Sequence, residues 1–202
     1  KDRVIALSVS YGQKHDKEIQ AAIAVAEYYG VEHLFLDLRK IFTYSNCSLL
    51  KQSTEKIPEE SYAKQISKTN GETPVSTYVP FRNGLFLSSA ASIALSKDCE
   101  VIYYGAHADD SAGFAYPDCS PVFNRAMNEA IWEGSGHQLK IEAPFVNVSK
   151  AEVVRIGLEL NVPYELTWSC YEGGEKPCGK CGTCIDRAAA FQANHVEDPA
   201  LQ

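Results

Sequence analysis

Arg3-Val4-Ile5-Ala6-Leu7-Ser8-Val9-Ser10, followed by Tyr11-Gly12, is the stretch that decides the fold. It is short, apolar and closed by a turn signal, the pattern of a parallel strand buried on both faces rather than of a strand with one wet face. From His15 to Tyr29 the residues Ile19, Ala22, Ile23 and Ala26 recur at helical spacing, and Gly30 stands where a left-handed C-cap belongs. His33-Leu34-Phe35-Leu36-Asp37-Leu38 reads as a second strand. Strand, helix, strand within about forty residues predicts a βαβ crossover, and with it an α/β fold: a Rossmann-like parallel sheet flanked by helices.

The rest of the chain extends the same alternation. A helix is expected from Arg82 to Lys97, a third strand over Cys99–Gly105, a helix over Pro121–Trp132 and a fourth strand over Leu139–Phe145. Ser149-Lys150-Ala151-Glu152 is a capping box that opens a helix running through Leu160. Between Thr43 and Ser76 the sequence is polar and without sustained period, which predicts a mobile insertion, either a gate over a site or a solvated excursion. Domain boundaries are expected at 1–165 for the α/β unit and 166–202 for a helical, cysteine-rich extension.

With 202 residues and 45% hydrophobic content the chain is long enough for one sizeable core, and no stretch approaches a membrane span. A formal net charge of -7 argues against a broad phosphate-backbone footprint, so no direct nucleic-acid partner is expected. The balance fits a soluble cytoplasmic protein acting on a small molecule, with Arg, Lys, metal or helix N-termini needed to receive an anionic one.

Four cysteines, Cys170, Cys178, Cys181 and Cys184, are spaced so that Gly179 and Gly182 let the backbone curl and bring the thiolates around one tetrahedral zinc ion. A pair of disulfides and a redox Cys-x-x-Cys are the alternatives. The absence of a secretory signal and the odd remainder of Cys47, Cys99 and Cys119 favour a reducing compartment and a C-terminal zinc knot.

Ligands of open parallel sheets collect at the carboxyl ends of the strands, and three polar clusters fall there. Tyr11-Gly12-Gln13-Lys14-His15 offers donors, acceptors and a charge, although an ordinary first helical turn would read the same way. Val79-Pro80-Phe81-Arg82-Asn83 places a guanidinium at a helix N-terminus, where it and free backbone amides can hold a phosphate. The loop Gly105–Cys119 carries His107, Asp109, Asp110, Tyr116 and Asp118, groups suited to a polar heterocycle or Mg²⁺; the alternative is an Asx-rich loop that caps its own backbone. No base stands beside Cys119 in sequence, so a core or loop thiol is the expected role.

Taken together, Tyr11-Gly12-Gln13-Lys14-His15, Val79-Pro80-Phe81-Arg82-Asn83, Tyr116-Pro117-Asp118-Cys119, Ser149-Lys150-Ala151-Glu152 and Val162-Pro163-Tyr164-Glu165-Leu166-Thr167-Trp168-Ser169-Cys170 resemble the 7-cyano-7-deazaguanine (preQ0) synthase family nearly end to end. The run from Val162 to Arg187 is the most specific part. The resemblance implies a PP-loop ATP pyrophosphatase of adenine nucleotide α-hydrolase-like fold. It also implies conversion of 7-carboxy-7-deazaguanine, ammonia and ATP, with Mg²⁺, to the nitrile preQ0 on the way to queuosine, one structural zinc on the four cysteines, and a homodimer. Its implied ATP and substrate contacts are Tyr11, Gln13, His15, Arg82, Asn83, Asp110, Tyr116 and Asp118.

The family's Ser-Gly-Gly-x-Asp-Ser pyrophosphate loop does not occur in these 202 residues, and the expectation is that the first strand, loop and helix lie upstream of Arg3. Ser120 and Val122 stand where many members carry Arg and Glu. The rival readings are another PP-loop enzyme, such as an amidotransferase-type synthetase or a tRNA thiolase, and a non-catalytic zinc-stabilised binding module.

Overall fold

The computed structural model describes residues 3–201. Strand β1 (Ile5–Ser10), helix α1 (Lys17–Tyr29) and strand β2 (Glu32–Asp37) form the expected crossover, with β1 and β2 parallel and Ile5 opposite Glu32 through Ser10 opposite Asp37. Gly30 ends α1 at φ 63, and its N–H returns to the carbonyls of Ala26 and Glu27. After helix α2 (Tyr62–Thr69) come α3 (Arg82–Ser96), β3 (Val101–Tyr103), a single turn α4 (Ala108–Ser111), α5 (Pro121–Gly134) and β4 (Lys140–Glu142). β3 and β4 are also parallel, and α5 crosses between them. Helices α6 (Lys150–Glu159) and α7 (Gly182–Ala193) complete the order.

Instead of one continuous sheet, the described residues hold two parallel pairs, β1–β2 and β3–β4, with no ladder between them. The second pair is shorter than the expected strands because pairing covers only Val101–Tyr103 and Lys140–Glu142. Beyond it, Pro144 has no N–H to donate, which closes β4.

The segment from Thr43 to Ser76, expected as a mobile insertion that either gates a site or makes a solvated excursion, is exposed over much of its length but anchored in the interior at several points. Ser48 and Leu50 are fully buried, and Cys47, Leu49, Ile57, Tyr62, Gln65 and Val75 are buried with them. Gln13 and Leu50 form an antiparallel bridge, with Lys14 N–H donating to the Leu49 carbonyl at 2.9 Å and Lys51 N–H to that of Gly12 at 2.9 Å. The segment therefore forms a wall against the end of β1. Its apolar residues are spaced by tertiary contacts rather than by any helical or strand period, which is why the sequence reads as a loop.

Three cores result. Tyr11, Phe42, Leu49, Leu50, Ile57 and Val79 pack with Cys170, Cys181 and Cys184, so the cysteine run is built into the same core as the first strand's end. Leu87, Ala94, Ile131, Leu139 and Ile141 join α3, α5 and β4. Val154, Ala190 and Phe191 join α6 to α7, with Tyr164 edge-on to Phe191 at 5.0 Å. Ser149 caps α6 by accepting from Glu152 N–H at 3.2 Å; the reciprocal half of the capping box is not made, because the Glu152 carboxylate pairs with Arg155. No helix is long and apolar enough to cross a membrane.

Gly157 is required by this packing. A methyl group there would enter the Tyr164 hydroxyl, which is held by the carbonyls of Val153 and Val154. Gly→Ala in a helix gains about 1 kcal/mol, and overpacking costs about 1–3 kcal/mol. Gly157→Ala is thus expected to lower Tm by a few degrees in a thermal melt; an unchanged or raised Tm would contradict the packing.

Candidate active site and metal centre

Arg82 is the centre of the site. It is the first residue of α3, and its guanidinium lies 5.0 Å from the Tyr11 ring and 5.8 Å from the Phe86 ring. Burial opposes its charge, and the oxygens of Tyr11, Tyr171, Asp118 and Tyr116 around it more than offset that, so it stays a cation. Among the described residues no carboxylate forms an ion pair with it. A cation stacked on aromatic faces keeps its planar fork of N–H groups available for an incoming anion.

A strained turn sets the direction of α3. Phe81 adopts φ 54, ψ 28, the left-handed region that bulky residues avoid at a cost of about 1–3 kcal/mol. Its N–H is satisfied by the Tyr78 hydroxyl at 2.8 Å. This turn brings Asn83 N–H to the Asp118 carboxylate at 2.8 Å, while the Asn83 side-chain amide donates to the Asp118 carbonyl at 3.2 Å and to Cys119 Sγ at 3.1 Å. Arg82 N–H goes to the Val79 carbonyl. The sequence led to free first amides of α3 for a phosphate, and they are not all free: Asp118 already caps the helix, which leaves the guanidinium as the cationic group there.

Burial raises the Asp118 carboxyl, and the Asn83 amide and Arg82 pull it back. Burial likewise pushes the Tyr11 phenol up to about 12 and, with Asp110 and Asp118 nearby, the Cys119 thiol up to about 12. Cys119 is accordingly not a nucleophile at neutral pH. Native protein treated with iodoacetamide at pH 7 is expected to leave Cys119 unmodified in peptide mass spectra; rapid labelling would contradict its burial.

The structure brings together Tyr11, Arg82, Asn83, Tyr116 and Asp118. Asp110 stands behind them: its carbonyl accepts from Tyr116 N–H at 3.1 Å, and its carboxylate lies 3.4 Å from His107 Nε2. His15 accepts from Lys17 N–H at 3.2 Å and its ring faces Trp168 at 6.4 Å, so it joins α1 to the cysteine run. Gln13 is buried, accepts from Tyr11 N–H at 2.9 Å and leaves its Nε2 without a partner. Lys14 turns away to the Glu55 carbonyl.

Sequence reading missed Glu18, Tyr62, Thr77 and Tyr171. Glu18 lies one helical turn after His15, at 3.6 Å, and burial raises its carboxyl while His15 and Arg82 lower it. The available signal was the i,i+3 spacing. Tyr171 directly follows Cys170, a position that the reading of the cysteines passed over.

The sulfur atoms of Cys170, Cys178, Cys181 and Cys184 all lie within 4.8 Å of one another. N–H groups of Glu172 and Cys178 donate to Cys170 Sγ at 3.4 and 3.3 Å, and that of Cys181 to Cys178 Sγ at 3.3 Å. Backbone donors aimed at sulfur stabilise thiolates. A hydrogen bond from Cys184 pulls Cys181 down to about 5, and Cys184 is raised in return. Four converging soft donors, three of them buried, fit one tetrahedral zinc ion.

The family model described as queuosine biosynthesis protein QueC matches residues 1–195. The chain belongs to the QueC family. Among QueC relatives, the 7-cyano-7-deazaguanine synthase of Archaeoglobus fulgidus is 42% identical over 199 residues, covering 98% of this chain and 79% of the relative. That of Caldicellulosiruptor saccharolyticus is 42% identical over 193 residues, covering 96% and 81%. The 7-cyano-7-deazaguanine synthase 2 of Colwellia psychrerythraea is 37% identical over 196 residues, covering 97% and 85%.

Proposed function

We propose that this QueC-family chain is a carbon–nitrogen ligase that converts 7-carboxy-7-deazaguanine and ammonia to 7-cyano-7-deazaguanine at the expense of ATP, in queuosine biosynthesis. The observation that carries the reading is the convergence of Tyr11, Arg82, Asn83, Tyr116 and Asp118, drawn from three separated motifs, around one cation that lacks an ion-pair partner among the described residues.

A carboxylate is a poor electrophile. Its oxygen attacks the α-phosphorus of ATP, releasing pyrophosphate and forming an acyl-adenylate; ammonia then displaces AMP and loses a proton to give the amide. The amide oxygen attacks the α-phosphorus of a second ATP, releasing a second pyrophosphate, and loss of AMP with the two remaining amide protons leaves the nitrile. These steps need charge neutralisation and alignment more than a protein nucleophile. Arg82 neutralises phosphate or carboxylate oxygens, and Asn83, held by Asp118, fixes the first turn of α3 toward phosphate or ribose. Tyr116 and Asp118, backed by Asp110, face the deazapurine, and Tyr11 stacks on Arg82 to keep its fork oriented. Gln13 and His15 shape the turn after β1.

Mg²⁺ would accompany the phosphates of ATP and neutralise their charge, and Asp110 and Asp118 would be candidate carboxylates to hold it. Zinc on the four cysteines would supply structural bracing and no step of the reaction. Thiolate ligands suit the cytoplasm, and a homodimer is part of the reading.

The experiment that separates this reading from a tRNA thiolase is AMP release by the zinc-loaded protein expressed from its intact gene. The expected result is release that depends on the carboxy-deazaguanine and is unchanged by added tRNA. Release that requires tRNA, or none at all, would overturn it.

A further inference from the structure

We propose that Tyr171 and Tyr62 are positioning residues that couple the filled cysteine shell to the order of the Tyr116-Pro117-Asp118 loop beside Arg82. The inference rests on the proposed function only for its kinetic readout.

Tyr171 lies between the ligand residues Cys170 and Cys178, and its hydroxyl meets that of Tyr62 at 2.6 Å across 109 residues of sequence. Tyr62 opens α2, whose N-cap Ser61 accepts from Lys64 N–H. The Tyr62 ring also lies over Gly182, between Cys181 and Cys184, so closely that a Cβ there would come within 3.1 Å of Cε1. Tyr62 thus touches the knot at two points. On its other side it stands edge-on to Tyr116 at 5.6 Å, and the Tyr116 hydroxyl meets Thr77 Oγ1 at 2.5 Å. Tyr62, Tyr116 and Thr77 are all buried. Two residues beyond Tyr116, Asp118 caps Asn83 next to Arg82.

A continuous set of contacts therefore runs from the four cysteines through the phenols of Tyr171, Tyr62 and Tyr116 to the helix cap beside Arg82. The hydroxyls of Tyr62, Tyr171 and Tyr116 share one buried hydrogen-bonded cluster, so removing one phenol oxygen weakens what holds the others.

The test compares wild type, Tyr171→Phe, Tyr62→Phe and the double variant, each as the complete chain, by metal analysis, amide hydrogen exchange and steady-state kinetics. Metal content is expected to stay at one ion per chain. Exchange at Asn83 and Cys119 N–H should rise about tenfold in zinc-loaded Tyr171→Phe while amides of α6 and α7 keep their protection, whereas chelation of wild type should raise exchange throughout the fold. Tyr62→Phe should match it, and the double variant should be no worse than either single one, the signature of two groups acting as a unit. In turnover, KM for the carboxylate substrate should rise about tenfold while kcat changes little.

Should Tyr171→Phe lose its metal, Tyr62→Phe, which is remote from the ligand sequence, decides alone. Unchanged exchange in these two segments of the loaded single variants, or additive effects in the double, would overturn the coupling. Inactive wild type with the exchange pattern intact would contradict the proposed reaction and leave the coupling standing.

Discussion

Arg82→Ala is expected to abolish useful turnover while leaving the protein folded. Removing a preorganised donor aimed at developing charge costs about 10²–10³ in rate, and here the group removed is the site's cation. The stability cost should be small, because the side chain makes stacking contacts with Tyr11 and Phe86 but no ion pair among the described residues, and the burial penalty on its charge disappears with it. Arg82→Lys should recover little, since an ammonium keeps the charge but not the planar two-pronged fork. Substrate-dependent AMP release measured beside a thermal melt separates the two effects. A variant with wild-type turnover, or one that fails only because it unfolds, would refute the assignment of Arg82.

Metal removal should have the largest effect on stability. Structural zinc sites contribute an apparent 10–16 kcal/mol or so near neutral pH, comparable with or larger than the roughly 5–15 kcal/mol by which a domain is stable. Cys170, Cys181 and Cys184 share a core with Tyr11, Leu50 and Val79, so an emptied shell leaves four sulfurs crowded within 4.8 Å in the same core as the end of β1. Chelation, or Cys181→Ser, is expected to lower Tm by well over ten degrees and to expose the site; restoring zinc should reverse the first and not the second. Acid should act like a chelator, because protons compete for the thiolates. An apo protein that melts with the loaded one would show that the cysteines are not a metal site.

The parts of the fold legible in the sequence were those governed by local pattern. β1, α1 and β2 follow from an apolar run, a helical period and Gly30 at φ 63. The four cysteines announced themselves by spacing alone. What could not be read was set by residues far apart in the chain. Leu50 is fully buried because the turn after β1 folds onto it through the Gln13–Leu50 bridge, and no period in the Thr43–Ser76 segment encodes that contact. The amides at the start of α3 read as free because the carboxylate that caps Asn83 lies 35 residues later, at Asp118. Tyr62 and Tyr171, 109 residues apart, carry no mutual signal in a single sequence. Tyr11, Arg82, Asn83, Tyr116 and Asp118 were each nameable from motifs; that they surround one cation was visible only once β1, α3 and the loop before α5 were placed in space.

The most direct measurement is mass spectrometry of the product formed when the zinc-loaded protein, expressed from its intact gene, is incubated with 7-carboxy-7-deazaguanine, Mg²⁺, ATP and ¹⁵N-labelled ammonia. The account predicts a nitrile carrying the label in its cyano nitrogen, with AMP and pyrophosphate released alongside. Unconsumed carboxylate, or ATP hydrolysis without labelled nitrile, would contradict it.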